Sequence, residues 1–164
     1  MIKFLRNYRN NAEENQEDNK GFSLVELIIV IAIMAILVAV LAPQFLQYVE
    51  RSRNSTDASN ATSIVAAVQT YLADPAYASD VAGYKGGTIK VSATGITEAD
   101  DTIRAALKVA GYDEDTDIKC KSTSSWDSYS ITFEYKDGSL NVTYGDGKDT
   151  FSQYMQTGAV KTTE

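Results

Sequence analysis

Histidine is absent from this 164-residue chain, which holds only one cysteine, one tryptophan and two prolines. Without histidine the commonest general base and metal ligand is missing. A single cysteine, Cys120, cannot close an internal disulfide; it reads as a small buried hydrophobe rather than a reactive thiol. Positive charge is also scarce, with 15 Lys and Arg against 22 Asp and Glu, a formal charge of −7. The first 21 residues do not contribute to that excess, because Lys3, Arg6, Arg9 and Lys20 balance Glu13, Glu14, Glu17 and Asp18. An acidic body repels phosphate backbones, so no nucleic-acid partner is expected. No nucleophile–base spacing, phosphate loop or metal motif stands out in the sequence, so the chain is expected to be neither an enzyme nor a cofactor carrier. Its length gives room for one globular domain with appendages.

What the chain does have is one long apolar run with a lone acid near its front. Residues 1–19 are polar, rich in Asn and Glu, and read as a disordered cytoplasmic leader. Then come Lys20-Gly21-Phe22-Ser23-Leu24-Val25-Glu26 and sixteen uninterrupted apolar residues from Leu27 to Ala42, followed by Pro43. From Leu24 to Ala42 a helix would rise about 28 Å, close to a hydrocarbon core of about 30 Å. The basic residues before the run favour keeping that side inside the cell. A cleaved secretory signal has a shorter apolar core and a small-residue site behind it; Val40-Leu41-Ala42 offers such a site, but Pro43 should block cleavage there. A plain membrane anchor explains the length but not Glu26. A charge among membrane-length hydrophobics is costly and marks a site.

Gly21-Phe22-Ser23-Leu24-Val25-Glu26 leading into the apolar run resembles the class III signal of type IV prepilins and pseudopilins. The resemblance is strong over residues 20–50 and architectural beyond them. It implies that a membrane prepilin peptidase cuts after Gly21 and that the new amino terminus, Phe22, is methylated. Glu26 then lies in the first turn of a helix, where a carboxylate suits the helix dipole, and is expected to pair with the Phe22 ammonium of a neighbouring subunit. A charge that costs several kcal/mol when buried alone is largely offset when paired. Pro43 matches a proline at which such helices bend. It removes one helical hydrogen bond, so a kink or opened turn is expected there, the alternative being a helix that ends at Ala42.

Beyond Pro43 the helical spacing continues through Phe45, Leu46 and Val49 and resumes as Ala58, Ala61, Ile64/Val65, Val68 and Leu72. The helix should run from Phe22 to about Ala73, roughly 78 Å, with Asp74-Pro75 ending it. Arg51, Arg53, Asp57, Asn60 and Gln69 are placed off the apolar stripe, toward solvent. After a glycine-rich loop, Thr88–Thr94 alternates as a strand. Thr97-x-x-Asp100 resembles a capping box for a helix carrying Ile103, Ala106, Leu107 and Ala110, with Gly111 as terminator. Ile118 and Cys120 suggest a short strand. Tyr129–Tyr135 and Leu140–Tyr144 alternate on either side of Asp137-Gly138, a hairpin signature, and Trp126 reads as a core or sheet-edge aromatic. Phe151, Tyr154 and Met155 are expected to hold the C-terminal segment by packing.

The expected fold is therefore α+β and pilin-like: a long N-terminal helix packed on an antiparallel sheet. It divides into a cleaved leader (1–21), an apolar membrane and assembly half-helix (22–49) and a globular head (50–164). The expected function is that of a structural subunit of a type IV pilus, inserted first in the cytoplasmic membrane and then built into a surface filament. Its partners would be copies of itself, the prepilin peptidase and the assembly machinery; adhesion, motility or aggregation would belong to the filament. The alternatives are a pseudopilin of a secretion or DNA-uptake system and a minor, tip-located adhesin. Two acidic clusters, Asp113-Glu114-Asp115-x-Asp117 and Asp146-x-x-Asp149, could offer oxygen ligands to calcium, but neither matches an EF-hand loop, so solvated loops and no metal are expected.

Overall fold

The computed structural model describes residues 22–136 and 139–160. The chain divides into two compact units, the first ending at Gln44 and the second starting at Phe45. Helix α1, Leu24–Ala73, contributes to both and continues through Pro43, so it does not end at Ala42. Asp74 stops it and caps a single 3-10 turn, Pro75–Tyr77, by accepting from Ala76 N at 2.8 Å. Tyr77 then folds back and stacks on Tyr71 with ring centroids 4.4 Å apart.

The second unit is built on a four-stranded antiparallel sheet of β1 (Gly86–Ser92), β2 (Gly95–Ala99), β3 (Ser128–Lys136) and β4 (Ser139–Gly145), in the order β2-β1-β3-β4. Alternation dictates which face is apolar. Ile89 and Val91 lie opposite Ile131 and Tyr129, and all four are buried, as is Phe133. The long helix lays Ala61, Ile64, Val68 and Tyr71 into the same core, at the 3–4 spacing of one helix face. Lys136 pairs with Ser139 as the hairpin requires; Asp137-Gly138 themselves lie outside the described residues.

Helix α2 (Asp101–Val109) adds Ile103, Ala106 and Leu107 to the core. Its cap differs from the expected capping box. Asp100 is the N-cap, accepting from Thr102 N at 2.9 Å, whereas Thr97 lies in β2. The strand prevails because Gly95–Ala99 pairs with β1, with a register shift at Lys90/Val91. Gly111, at φ +92°, closes the other end: its N–H donates to Lys108 O and the N–H of Tyr112 to Leu107 O, at 3.1 and 2.9 Å.

The expected strand at Ile118 and Cys120 is also absent. Both residues are buried, but they belong to an irregular loop tied to the sheet by Cys120 N donating to Ser92 O at 2.9 Å. Two apolar residues at alternate positions mimic a strand whenever a loop buries both. The C-terminal helix α3 (Thr150–Thr157) packs as expected, with Phe151 fully buried and Tyr154 and Met155 partly buried against the core.

Candidate functional site

Two constellations carry the polar chemistry of this molecule, both built on carboxylates of α1. The first lies at the helix start. Ser23 is the N-cap: its carbonyl accepts from Leu27 N at 3.1 Å and its Oγ from Val25 N at 3.3 Å. Glu26, three residues on, accepts from Ser23 N through Oε2 at 2.9 Å. This is the reciprocal arrangement of a capping box, Ser-x-x-Glu, which satisfies amides that a helix start otherwise leaves open. Glu26 thus has a backbone partner within its own chain. The spacing Ser23–Glu26 was sufficient to find it, but the interest of an acid in an apolar run hid that local role.

Phe22 precedes this cap and is 87% exposed, while Gly21 lies outside the described residues. Every residue from Phe22 to Tyr48 is exposed. Within that stretch lies an 18-residue window of mean hydropathy 3.2. So large a contiguous apolar surface calls for lipid or protein to cover it. Pro43 sits inside the helix, which runs on through it to Ala73.

The second constellation lies in the head. Asp57, expected to face solvent, is fully buried. The buried positions of α1 are Asn54, Asp57, Ala61, Ile64, Val68 and Tyr71, so the polar residues continue the 3–4 spacing of the apolar ones. Asp57 Oδ1 accepts from Lys121 N at 2.7 Å; Oδ2 accepts from Ser122 N at 2.9 Å and Trp126 Nε1 at 2.8 Å. The Cys120 thiol also donates to Oδ2, with sulfur 3.4 Å away. Burial, reinforced by the Asp57 carboxylate, pushes the pKa of Cys120 up to about 12, so the sulfur stays protonated as this donor.

Two turns earlier, Glu50 performs the same work on the next stretch of the loop. Its Oε1 accepts from Ser122 Oγ at 2.7 Å, from Thr123 N and Ser124 N at 2.9 Å, and from Ser125 N at 3.3 Å. Thr123 Oγ1 donates to Oε2 at 3.1 Å, and Arg53 lies 3.5 Å from that oxygen. Burial alone would raise the pKa of Glu50. The Ser122 hydroxyl and the amides of Ser124, Thr123 and Ser125 outweigh it and hold the carboxyl far below its ordinary range. Asn54, between the two acids, donates through Nδ2 to Ser125 Oγ at 2.8 Å. Sequence reasoning missed this trio because its partners lie more than sixty residues away and half of them are backbone amides. The available signal was the spacing, which runs unbroken from Ile64 back through Asp57 and Asn54 to Glu50.

The acidic loops have other duties. Asp115 pairs with Arg104, and Asp117 Oδ2 accepts from Glu114 N at 2.9 Å. Asp146 accepts from Lys148 N at 3.0 Å, from Phe151 N at 3.2 Å and from Thr150 Oγ1, tying down the start of α3. Among the described residues no group of three or more acidic or cysteine side chains is placed to hold a metal.

With this geometry in place, the comparisons add one finding. The family model described as the prokaryotic N-terminal methylation motif matches residues 18–42. With the adjacent apolar helix, this fits a type IV pilin-like protein and supports a pilin- or pseudopilin-like precursor. Neither a curated protein nor a solved structure gives a match.

The depressed pKa of Glu50 sets an acid limit. Its stabilising contribution is fully present above its unfolded value of 4.5 and is lost as the pH falls toward its folded value. Between pH 6 and pH 3 the melting temperature of the full chain in detergent is expected to fall more steeply than that of Glu50→Gln, which starts lower. Parallel curves would remove Glu50 as the titrating group.

Proposed function

We infer that this chain is the precursor of a structural subunit of a type IV pilus, cut after Gly21, methylated on Phe22 and polymerised through its apolar half-helix. The observation that carries this reading is the match over residues 18–42, joined to an exposed apolar helix whose one acid lies four residues after Phe22. Residues 1–21 are then the leader, 22–49 the membrane and assembly half of the helix, and 50–164 the head. The precursor crosses the cytoplasmic membrane once and leaves it for a surface filament. Its role is structural rather than catalytic. Its partners are the prepilin peptidase, the assembly machinery and copies of itself.

Glu26 has two jobs in this reading. In the precursor its Oε2 caps the helix through Ser23 N, a bond that cleavage after Gly21 leaves intact. In the filament its carboxylate also meets the Phe22 ammonium of a neighbouring subunit, so extraction from lipid and axial register depend on the same charge. Pro43 lets the helix open locally as the subunit moves between the two settings. A pseudopilin of a secretion or DNA-uptake system would use the same N-terminal chemistry, and so would a minor adhesin at a filament tip.

Mass spectrometry of the protein from its native host is expected to show an amino terminus at Phe22 carrying one added methyl group. An intact leader, or a terminus following Ala42, would contradict the reading. Glu26→Ala is expected to be processed normally and yet yield few or no filaments by electron microscopy; filaments of normal number and length would remove the assembly role of the charge.

A further inference from the structure

The head carries a groove of about 680 Å3 beside the 46–54 stretch of α1, and its lining is mixed. Gln47, Arg51, Ser124 and Ser125 supply polar groups, and Leu46 and Tyr154 supply apolar ones. Arg51 is the one cation among the described residues of the lining. It is exposed, and among the described residues no carboxylate stands within ion-pair distance of it, although the chain carries a net −7. Its guanidinium carbon lies 5.8 Å from the ring centroid of Tyr48, the residue that ends the exposed stretch. The acid in the lining, Glu50, has a side chain only 14% exposed, with its oxygens already engaged by Arg53 and by donors of Ser122, Thr123, Ser124 and Ser125. An unpaired arginine on a mostly polar groove suits an anion.

Its place along the helix says which anion. From Leu27 to Leu46 the only polar residue is Gln44. That stretch rises about 30 Å as a helix, the thickness of a hydrocarbon core. Arg51 follows about 7.5 Å farther along, at the depth of lipid headgroups, where tyrosine and arginine are the usual interfacial residues. We propose that the groove holds the headgroup of one anionic phospholipid from the leaflet on the head's side, its phosphate on Arg51 and Gln47 and its acyl chains passing Leu46 and Phe45 into the bilayer. The planar fork of arginine matches phosphate oxygens in pairs, and basic pockets at this depth are the usual receivers of such headgroups. Leu46 and Phe45, 66% and 65% exposed, offer apolar surface to the chains below the phosphate. The inference rests on the membrane stage of the proposed function and adds a ligand to it. The lipid seats the head on the bilayer until the subunit is extracted.

Native mass spectrometry tests this on the full chain, extracted from membranes in an uncharged detergent and mixed with phosphatidylglycerol or phosphatidylcholine of matched acyl chains. The native protein is expected to retain phosphatidylglycerol about fivefold or more over phosphatidylcholine. Arg51→Gln is expected to retain one phosphatidylglycerol fewer per chain. Ala159→Trp fills the groove from an exposed wall and leaves Arg51 in place, so it should also lose one lipid while keeping the native melting temperature. Equal retention of the two lipids by the native chain would overturn the proposal and leave the groove to residues 161–164 or to another protein. A folded variant that keeps the native number of lipids would overturn it too, since surface charge outside the groove would then hold them. Release of the lipid by excess inorganic phosphate would make the ligand a free anion and overturn the lipid assignment. In each of these cases the membrane reading stands; a native chain found in the soluble fraction rather than in membranes overturns both.

Discussion

The head depends on one buried carboxylate. Asp57 sits on the inward face of the long helix with no cation beside it among the described residues, and it is tolerable there only because four donors converge on it. A charge buried without such partners would be among the largest single penalties a domain of this size can carry. The loop that carries Cys120, Lys121, Ser122 and Trp126 is therefore not free to drift, since leaving would strand the charge. The consequence extends through Trp126. Its indole, fixed by the bond to Asp57, lies edge-on to Phe151 at 4.9 Å and tilted against Tyr154 at 5.5 Å. Phe151 in turn stacks on Tyr129 at 4.5 Å. A path runs from helix to loop to tryptophan to the C-terminal helix and back to the sheet. With one cysteine the chain cannot staple its C-terminal segment covalently, and a hydrogen-bonded anion with an aromatic cluster holds it instead.

The same helix uses acids in two opposite ways. Glu26 stands at an exposed start and satisfies the amide of Ser23, a local and modest duty. Glu50 and Asp57 stand on a buried face and gather amides from a distant loop. The difference follows from surroundings rather than residue type. In the first unit every described side chain is exposed and, apart from Ser23, Glu26 and Gln44, apolar, so the acid's partner is the backbone of its own helix start. In the second, the serine-rich loop supplies amides and hydroxyls at a density that apolar side chains could not match.

How much of this was legible in the sequence depends on where the partners lie. The hairpin was readable from the alternation of Tyr129, Ile131 and Phe133 with polar residues, because a strand declares its buried face every second position. The long helix was readable from its apolar period, but its start was placed at Phe22 because the Ser23–Glu26 cap, three residues apart, went unread. Strand β2 was missed: it is five residues long, and among them only Ile96 is a large apolar residue, so pairing with β1 rather than its own pattern makes it a strand. Asp57 was misplaced because charge was taken to mean solvent. Two of its four donors are backbone amides, which have no sequence signature, and the other two, the Trp126 indole and the Cys120 thiol, are brought close only by the fold.

The central claim is that the Asp57 carboxylate holds the 120–126 loop and, through it, the C-terminal packing. The most direct measurement is amide hydrogen exchange on the full chain in detergent, comparing the native protein with Asp57→Asn, which keeps the side-chain size and removes the charge. The account predicts that protection falls together at Lys121 and Ser122, whose amides donate to the carboxylate, and along Thr150–Thr157, while β1 and β3 keep theirs. Protection unchanged at Lys121 and Ser122 would contradict it.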